Sequence, residues 1–254
     1  MRTMGDDLQV ALRATLAGAA EGMRWFADLP RLRREQKADG TVVTAADRAV
    51  EQAVRDVLTA DRPGDAVLGE EGGGQTGSGG RRWIIDPIDG TALFVTGDDR
   101  WLVLVALESE GEIVAGVAAV PAQDRIWWAS RGEGAWEAPM SLADPRRVTV
   151  SAPAAVLRLG VVPTPYADVV GTLIEAVPAL PWRVHPPLLV ARGDLDLAVQ
   201  TSGHVWDFAA TSLIITEAGG HYSTLDGSIR PGRGVSVYAS TPEVRERALS
   251  LLRS

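Results

Sequence analysis

The residues best suited to chemistry lie in one short turn near the middle of the chain, Asp86-Pro87-Ile88-Asp89-Gly90-Thr91. Apolar runs flank this turn, so the pattern predicts a strand that ends here and a helix that begins here. Gly90 lets the backbone approach a ligand closely, and free N–H groups of Gly90 and Thr91 at a helix N-terminus would suit a phosphate oxygen. The turn holds two carboxylates at one tip, although Asp-Pro and Asp-Gly are also common turn dipeptides.

Further acidic residues lie at the ends of predicted elements. Glu70 ends a short apolar segment, Asp47 follows Thr44 by three residues at the start of a helix, and Asp207 opens a later helix. The local patterns of Asp47 and Asp207 are also typical of helix capping. If these side chains converge, they form an oxygen-only ligand set, which selects Mg²⁺, Mn²⁺ or Ca²⁺ over zinc.

Two amphipathic helices and a sheet are predicted to position these residues. Apolar residues recur at spacings of three and four from Leu8 to Phe26, and again from Thr44 until Pro63-Gly64. The segment Ala66–Leu68 predicts a strand leading to Glu70, and the glycine-rich stretch 72–80 predicts a mobile surface loop. Other runs predict an antiparallel sheet against the helices: Trp83–Ile85, Trp101–Leu107, Ile113–Val120 and Ile126–Ala129.

After Pro145 the pattern changes to short strands that alternate with helices. The predicted elements are strands at Leu157–Val162 and Leu195–Val199 and helices at Asp207–Ala218 and Glu243–Leu251. We therefore divide the chain into two subdomains. Residues 1–145 form an α+β unit with most of the candidate ligands, and residues 146–254 form an α/β unit with Asp207 and the elements that select the substrate.

Composition excludes several classes of function. The 254 residues are 46% hydrophobic, enough for a large core, and a net charge of −8 disfavours binding to nucleic acid. Because the chain has no cysteine, it has no thiolate metal site and no cysteine nucleophile. The N-terminus lacks the apolar core of a signal peptide, and no apolar run is long enough to span a membrane. We expect a cytoplasmic protein that acts on a small molecule.

Four segments together resemble the inositol monophosphatase family. The hexapeptide Asp86–Thr91 resembles the family signature, and Lys37–Glu51, Gly69–Glu71 and Val205–Ala210 resemble three other motifs in the same order. Arg62–Asp65 and Trp127–Gly132 are similar to the histidinol-phosphatase branch of that family. The resemblance implies a layered α+β or α/β sandwich of αβαβα order, a homodimer, and a Mg²⁺-dependent phosphatase acting on a small phosphorylated metabolite.

The resemblance also implies roles for individual residues. One Mg²⁺ would be held by Glu70, Asp86 and the carbonyl of Ile88, a second by Asp86, Asp89 and Asp207, and a weaker third would share Glu70. The implied catalytic residues are Asp47, Thr91 and Glu70, with the threonine relaying a proton from the attacking water to Asp47. Phosphate or substrate contacts are implied for Lys37, Asp89, Gly90, Thr91, Arg183, Gln200 and His204. Glu71 would be a supporting acid behind the ligands, or simple surface charge.

The C-terminal half departs from the family at the positions that select the substrate. Segment 183–193 is shorter than in relatives and contains tandem prolines, which cannot sit in a helix interior, so this edge of the pocket is expected to be opened or rebuilt. Gln200 replaces a glutamate, which weakens the case for a cationic substrate such as histidinol phosphate. His185 and His204 could contact the substrate, although lone histidines are more often polar surface residues. Residues 98–100 replace a proline-containing turn and have no predicted role.

The sequence therefore predicts hydrolysis of an inositol phosphate, histidinol phosphate, or a related polyol, amino-alcohol or sugar phosphate by metal-activated water. A first alternative is a phosphatase of the same fold that acts on 3′-phosphonucleotides or sugar bisphosphates. A second alternative is a catalytically silent relative that binds a phosphorylated metabolite.

Overall fold

The computed structural model describes residues 5–32, 34–36, 42–75, 77, 80–162 and 170–254. Lys37, a predicted phosphate contact, lies outside these residues. The described elements form five layers, in which two sheets alternate with three layers of helices. This arrangement confirms the predicted αβαβα sandwich.

The first layer consists of two long helices, α1 (Asp6–Phe26) and α2 (Ala45–Asp61). They pack against each other and against one face of the larger sheet. A Cβ atom at Gly18 would lie 2.6 Å from Val54 Cγ2, so glycine permits this close approach of α1 to α2. Both helices follow the predicted apolar spacing, and a 3₁₀ turn at Leu29–Arg31 follows α1.

The second layer is an eight-stranded sheet, which is antiparallel except for the parallel pair β3–β5. In chain order, its strands are β3 (Ala66–Gly69), β4 (Gly73–Gln75), β5 (Arg81–Asp89), β6 (Leu102–Ser109), β7 (Glu112–Val120), β8 (Arg125–Ser130), β9 (Gly134–Ala138) and β10 (Arg146–Val148). Their spatial order is β10-β9-β8-β7-β6-β5-β3-β4. A separate hairpin pairs β1 (Arg34–Gln36) with β2 (Val42–Thr44). The expectation of a loop over residues 72–80 is wrong at 73–75, because β4 pairs with β3 there.

The remaining layers come from the C-terminal part of the chain. The helices are α4 (Gly171–Ala176), α5 (Pro186–Ala191), α6 (Val205–Glu217) and α7 (Pro242–Leu252), and the short α3 (Thr91–Phe94) lies earlier, between β5 and β6. A four-stranded sheet has the order β11-β12-β14-β13, from β11 (Leu159–Val162), β12 (Leu197–Gln200), β13 (His221–Thr224) and β14 (Ser236–Ala239). Helices α5 and α6 lie between the two sheets, and α4 and α7 cover the outer face.

The tandem prolines lie at the start of a helix and not in its interior. Pro186 and Pro187 occupy the first two positions of α5, where an intrahelical N–H bond is not needed. Segment 183–193 therefore contains a short helix, and the expectation that this edge of the pocket is opened or rebuilt stays a prediction.

Helix α6 packs closely on the larger sheet because the facing residues are small. A Cβ atom at Gly116 of β7 would lie 2.9 Å from the carbonyl oxygen of Ala210, which lies in α6. This contact fixes the helix whose first turn carries Asp207. Within the described ranges, no helix has both the length and the hydropathy to cross a membrane. The division of the chain at residues 145 and 146 stays a prediction.

Candidate metal centre

A bulge at the end of β5 brings Asp86 and Asp89 to the same side of the strand. Asp86 lies opposite Leu104 of β6 and Asp89 opposite Leu102, so β5 has one more residue than β6 over this interval. Residues three apart in a regular strand face opposite sides, and one extra residue reverses that. Gly90 then takes a left-handed conformation with φ of 87° and starts α3, as its lack of a Cβ allows.

Asp207 reaches the same point from the first turn of α6. Ligand atoms of Asp86, Asp89 and Asp207 all lie within 4.8 Å of one another. Asp207 also caps its helix, because its Oδ2 accepts a hydrogen bond of 2.7 Å from the backbone N–H of His204. The capping interpretation and the ligand interpretation of Asp207 are thus compatible.

Asp47 combines a cap with a contact to Thr91. Its Oδ2 accepts hydrogen bonds from the backbone N–H and the hydroxyl of Thr44, at 2.8 and 2.6 Å. The Thr91 hydroxyl lies 3.0 Å from Asp47 Oδ1 and 3.1 Å from the carbonyl oxygen of Ile88, so its one proton can be donated to either acceptor. This geometry suits a hydroxyl that relays a proton to a buried carboxylate.

Glu70 is placed by the parallel pairing of β3 with β5. Gly69 lies beside Ile85, and the backbone N–H of Glu70 donates to the Ile85 carbonyl oxygen at 3.3 Å. The carboxylate of Glu70 is close enough to Asp86 to raise the pKa of Asp86.

Glu51 is a residue of this site that the sequence interpretation missed. It is 2% exposed, and its carboxylate accepts the backbone N–H groups of Glu71 and Gly72 at 2.8 and 2.9 Å. Arg55 Nε donates to the same carboxylate at 2.8 Å. Glu51 therefore fixes the turn that carries Glu70 and Glu71. Its place at the end of the motif Lys37–Glu51 was the only signal in the sequence.

Burial raises the pKa of three acidic residues at this site. Burial, followed by the nearby charges of Glu70, Asp207, Asp89 and Asp47, raises the pKa of Asp86 well above its usual range. Burial and the charges of Asp207 and Glu70 do the same to the pKa of Asp89. Burial also raises the pKa of Asp47, although hydrogen bonds from Thr44 and Thr91 oppose this effect.

Two ligand oxygens of this cluster lack hydrogen-bond partners. Asp86 Oδ1 and Asp89 Oδ2 are buried and accept no hydrogen bond from any residue that the structure describes. Such atoms cost free energy unless a bound group satisfies them. A hard divalent cation fits this donor set, because it prefers carboxylate oxygens and would offset the mutual repulsion.

The expectation that His185 is a surface residue is wrong. It is 2% exposed, and its Nε2 lies 3.6 Å from Asp89 Oδ2. Burial lowers the pKa of His185 to about 3, so its ring is neutral at physiological pH. No pattern in the sequence predicts the burial of His185, which lies beside a residue almost a hundred positions earlier in the chain.

The structure also describes three other residues that were predicted to contact the substrate. Gln200 is buried at the end of β12, and its Oε1 has no hydrogen-bond partner among the described residues. The His204 ring stacks on Trp206 with centroids 4.7 Å apart. Arg183 is exposed and lines a groove of about 470 Å³ together with Trp182 and residues 97–100. The roles of these residues in binding stay predictions.

Comparison with known proteins identifies relatives of this chain. The sequence profile of the inositol monophosphatase family matches residues 6–254. A Mycobacterium tuberculosis protein named histidinol-phosphatase is 42% identical over 91% of this chain and 92% of its own length. A Streptomyces griseus protein named glucose-1-phosphate thymidylyltransferase is 39% identical over 92% of this chain and 93% of its own. The solved structure of an IMPase from Thermotoga maritima matches with a TM-score of 0.83 at 25% identity, over 98% and 97% of the two chains.

The profile match covers nearly the whole chain, and other relatives are named inositol-1-monophosphatase. Fold, motif order and acidic cluster agree with that match. The chain belongs to the inositol monophosphatase family, and it is an enzyme that hydrolyses phosphate monoesters.

Proposed function

We propose that the protein hydrolyses a small phosphate monoester in a reaction that depends on two Mg²⁺ ions, with a third ion bound more weakly. The observation that carries this proposal is the convergence of Asp86, Asp89 and Asp207 within 4.8 Å, with buried ligand oxygens that no described group satisfies. Glu70, Asp86 and the Ile88 carbonyl would hold one ion, and Asp86, Asp89 and Asp207 the other. When bound, the ions supply an activated water and stabilise charge on the attacking and leaving oxygens.

Residues beside the proposed ion sites would position the attacking water and the phosphate. Thr91 would hold the attacking water and pass its proton to Asp47, whose carboxylate is already within 3.0 Å of the threonine hydroxyl. The burial that raises the pKa of Asp47 makes its carboxylate a stronger base than an exposed aspartate. Backbone N–H groups of Gly90 and Thr91 would bind a phosphate oxygen, and Glu71 would support the turn of Glu70.

The proposed substrates are polyol, amino-alcohol and sugar phosphates. Gln200 is a buried neutral amide at the position where a carboxylate would offset the desolvation of an amine. This residue favours an uncharged leaving group over the cationic one of histidinol phosphate. The exposed guanidinium of Arg183 supports a second candidate, a substrate with an additional anionic group such as a sugar bisphosphate or a 3′-phosphonucleotide.

The test is phosphate release by the purified protein with and without Mg²⁺. The panel contains inositol phosphates, histidinol phosphate, sugar mono- and bisphosphates and 3′-phosphonucleotides, together with glucose 1-phosphate and a thymidine nucleotide for the reaction named in the S. griseus relative. We expect Mg²⁺-dependent release that Asp89→Asn abolishes and that Asp56→Asn, on an exposed position of α2, retains. Release that is independent of divalent cations would contradict the proposal. Binding of a phosphorylated metabolite without turnover would instead favour the silent relative.

We also propose that the protein is a cytoplasmic homodimer. This proposal rests on the family resemblance. Light scattering during gel filtration measures the assembly, and a monomer at micromolar concentration would contradict it.

A further inference from the structure

Two buried polar atoms without partners face each other beside the acidic cluster. His185 Nε2 and Asp89 Oδ2 lie 3.6 Å apart, and neither makes a hydrogen bond within the described part of the chain. A shift of a few tenths of an ångström would join them in a hydrogen bond. Because each buried unpaired polar atom costs free energy, one such bond would remove two of these costs together.

The position of His185 is built by residues that the catalytic proposal does not use. The Arg100 guanidinium lies 4.5 Å from the centroid of the Trp182 ring and donates to the Trp182 carbonyl oxygen at 3.2 Å and to Asp98. Trp182 Nε1 donates to the Val161 carbonyl oxygen at 2.8 Å. The edge of the Trp182 ring packs on His185 with centroids 6.4 Å apart. The Trp182 ring thus contacts the imidazole and is itself held by Arg100 and Val161.

We propose that His185 is a positioning residue that donates from Nε2–H to Asp89 Oδ2 and so fixes this carboxylate for metal binding. The inference rests on the proposed function of Asp89 as a metal ligand. A carboxylate oxygen has two lone pairs, so Asp89 accepts this bond and still binds a cation. A neutral donor orients the carboxylate and leaves its charge available to the cation. The ammonium group of a lysine would instead compete with the cation for that charge. Partners of this kind commonly orient metal ligands in proteins.

The geometry does not favour His185 as a ligand itself. Among the described residues, Asp86, Asp89 and Asp207 form a group of three whose ligand atoms all lie within 4.8 Å of one another. His185 is not part of such a group. Mg²⁺ also prefers oxygen to imidazole nitrogen. The two roles differ in what can replace the histidine, because a glutamine amide can supply a donor near the position of Nε2 whereas it cannot supply an imidazole ligand.

The experiment compares His185→Gln, which keeps a donor, with His185→Leu, which keeps the bulk alone. Titration calorimetry measures Mg²⁺ affinity, thermal unfolding in chelator measures the metal-free fold, and steady-state kinetics separate kcat from KM. We expect His185→Leu to weaken Mg²⁺ binding about tenfold or more. We expect His185→Gln to remain near the wild type. Thermal unfolding of His185→Leu in chelator shows whether the variant is folded, so that a loss of Mg²⁺ affinity can be separated from a loss of the fold.

His221→Leu is the matched control, since His221 lies in β13 and outside the acidic cluster. Unchanged Mg²⁺ affinity of a folded His185→Leu protein would overturn the inference, and so would an equal loss of affinity in both His185 variants. If Asp89→Asn also leaves Mg²⁺ binding unchanged, the proposed metal centre fails. If Asp89→Asn abolishes binding and His185→Leu has no effect, only the role of His185 fails.

Discussion

Asp86 and Asp196 are both fully buried aspartates, but their surroundings are opposite. Asp86 is surrounded by the acidic groups Glu70, Asp207, Asp89 and Asp47, and its Oδ1 has no hydrogen-bond partner in the described chain. Asp196 accepts hydrogen bonds of 2.7 and 3.0 Å from the guanidinium of Arg158 and one of 2.8 Å from the backbone N–H of Arg158. Burial alone would raise the pKa of Asp196, but these bonds from Arg158 lower it below its usual range.

The difference separates an acid that serves the fold from one that serves chemistry. Asp196 is compensated, so its charge ties the segment before β11 to the loop before β12. Asp86 has acidic neighbours, and its Oδ1 has no hydrogen-bond partner among the described residues, so a bound cation would offset the cost of burying it. Buried acids with raised pKa values are characteristic of functional sites, whereas paired ones are usually structural.

The largest effect is expected from Asp86→Asn, which removes the carboxylate proposed to bridge both ions. Activity should fall more than about 100-fold, since losing even an outer partner of a ligand costs 10–100-fold. The metal-free protein should become more stable, because Asn has the same shape without the buried charge. Phosphate release and thermal unfolding in chelator measure the two effects.

The direction in which stability changes with pH follows from the raised pKa of Asp86. Folding favours the protonated acid, so its stabilising contribution is complete below the unfolded pKa and is lost as the pH rises through the folded pKa. The advantage of Asp86→Asn over the wild type in chelator should therefore grow from acidic to neutral pH. Equal stability of the two proteins at neutral pH would show that Asp86 is compensated, and the contrast with Asp196 would disappear.

The next effect is expected from Asp196→Asn, which should destabilise the protein by about 3 kcal/mol at neutral pH, because the partly buried Arg158 loses its carboxylate partner. The folded pKa of Asp196 is lowered, so its stabilising contribution is present above the unfolded pKa and is lost as the pH falls through the folded pKa. Urea unfolding at neutral and strongly acidic pH measures both. We expect kcat to be retained, and a change in Mg²⁺ affinity would contradict a purely structural role.

The local geometry of each acidic residue could be predicted from the sequence, whereas their convergence into one cluster came from the family resemblance. The turn Asp86–Thr91 carries its own bulge and glycine, and the capping of Asp47 and Asp207 follows from spacings of three residues. The amphipathic helices and most strands of the larger sheet follow from their periodicity. The order of the layers came from the family resemblance, because periodicity does not specify which elements pack together.

The residues that the sequence did not reveal depend on contacts across long separations. Glu51 is identified only by the N–H groups of Glu71 and Gly72, about twenty residues away. His185 packs on Trp182, whose carbonyl oxygen accepts a hydrogen bond from Arg100, more than eighty residues earlier. A proline pair also predicts a break in a helix as readily as a helix start, and only the packing of α5 between the sheets decides.

The smallest effect is expected from Arg100→Ala, which removes the stacking on Trp182 and the bonds to Asp98 and to the Trp182 carbonyl. A cation–π contact of this kind contributes about 0.5–1 kcal/mol at exposed sites. We expect kcat/KM to fall severalfold, with Mg²⁺ affinity moving in the same direction as in His185→Leu. Calorimetry and steady-state kinetics measure both.

Arg100→Lys is the matched variant, because it keeps the charge but loses the planar group that stacks on Trp182 and forms three hydrogen bonds. We expect it to resemble Arg100→Ala more than the wild type. If Arg100→Lys is fully active while Arg100→Ala is not, charge at the groove matters more than the position of Trp182. In that case, Arg100 acts on the substrate directly, and segment 182–185 holds His185 against Asp89 without help from residues 97–100.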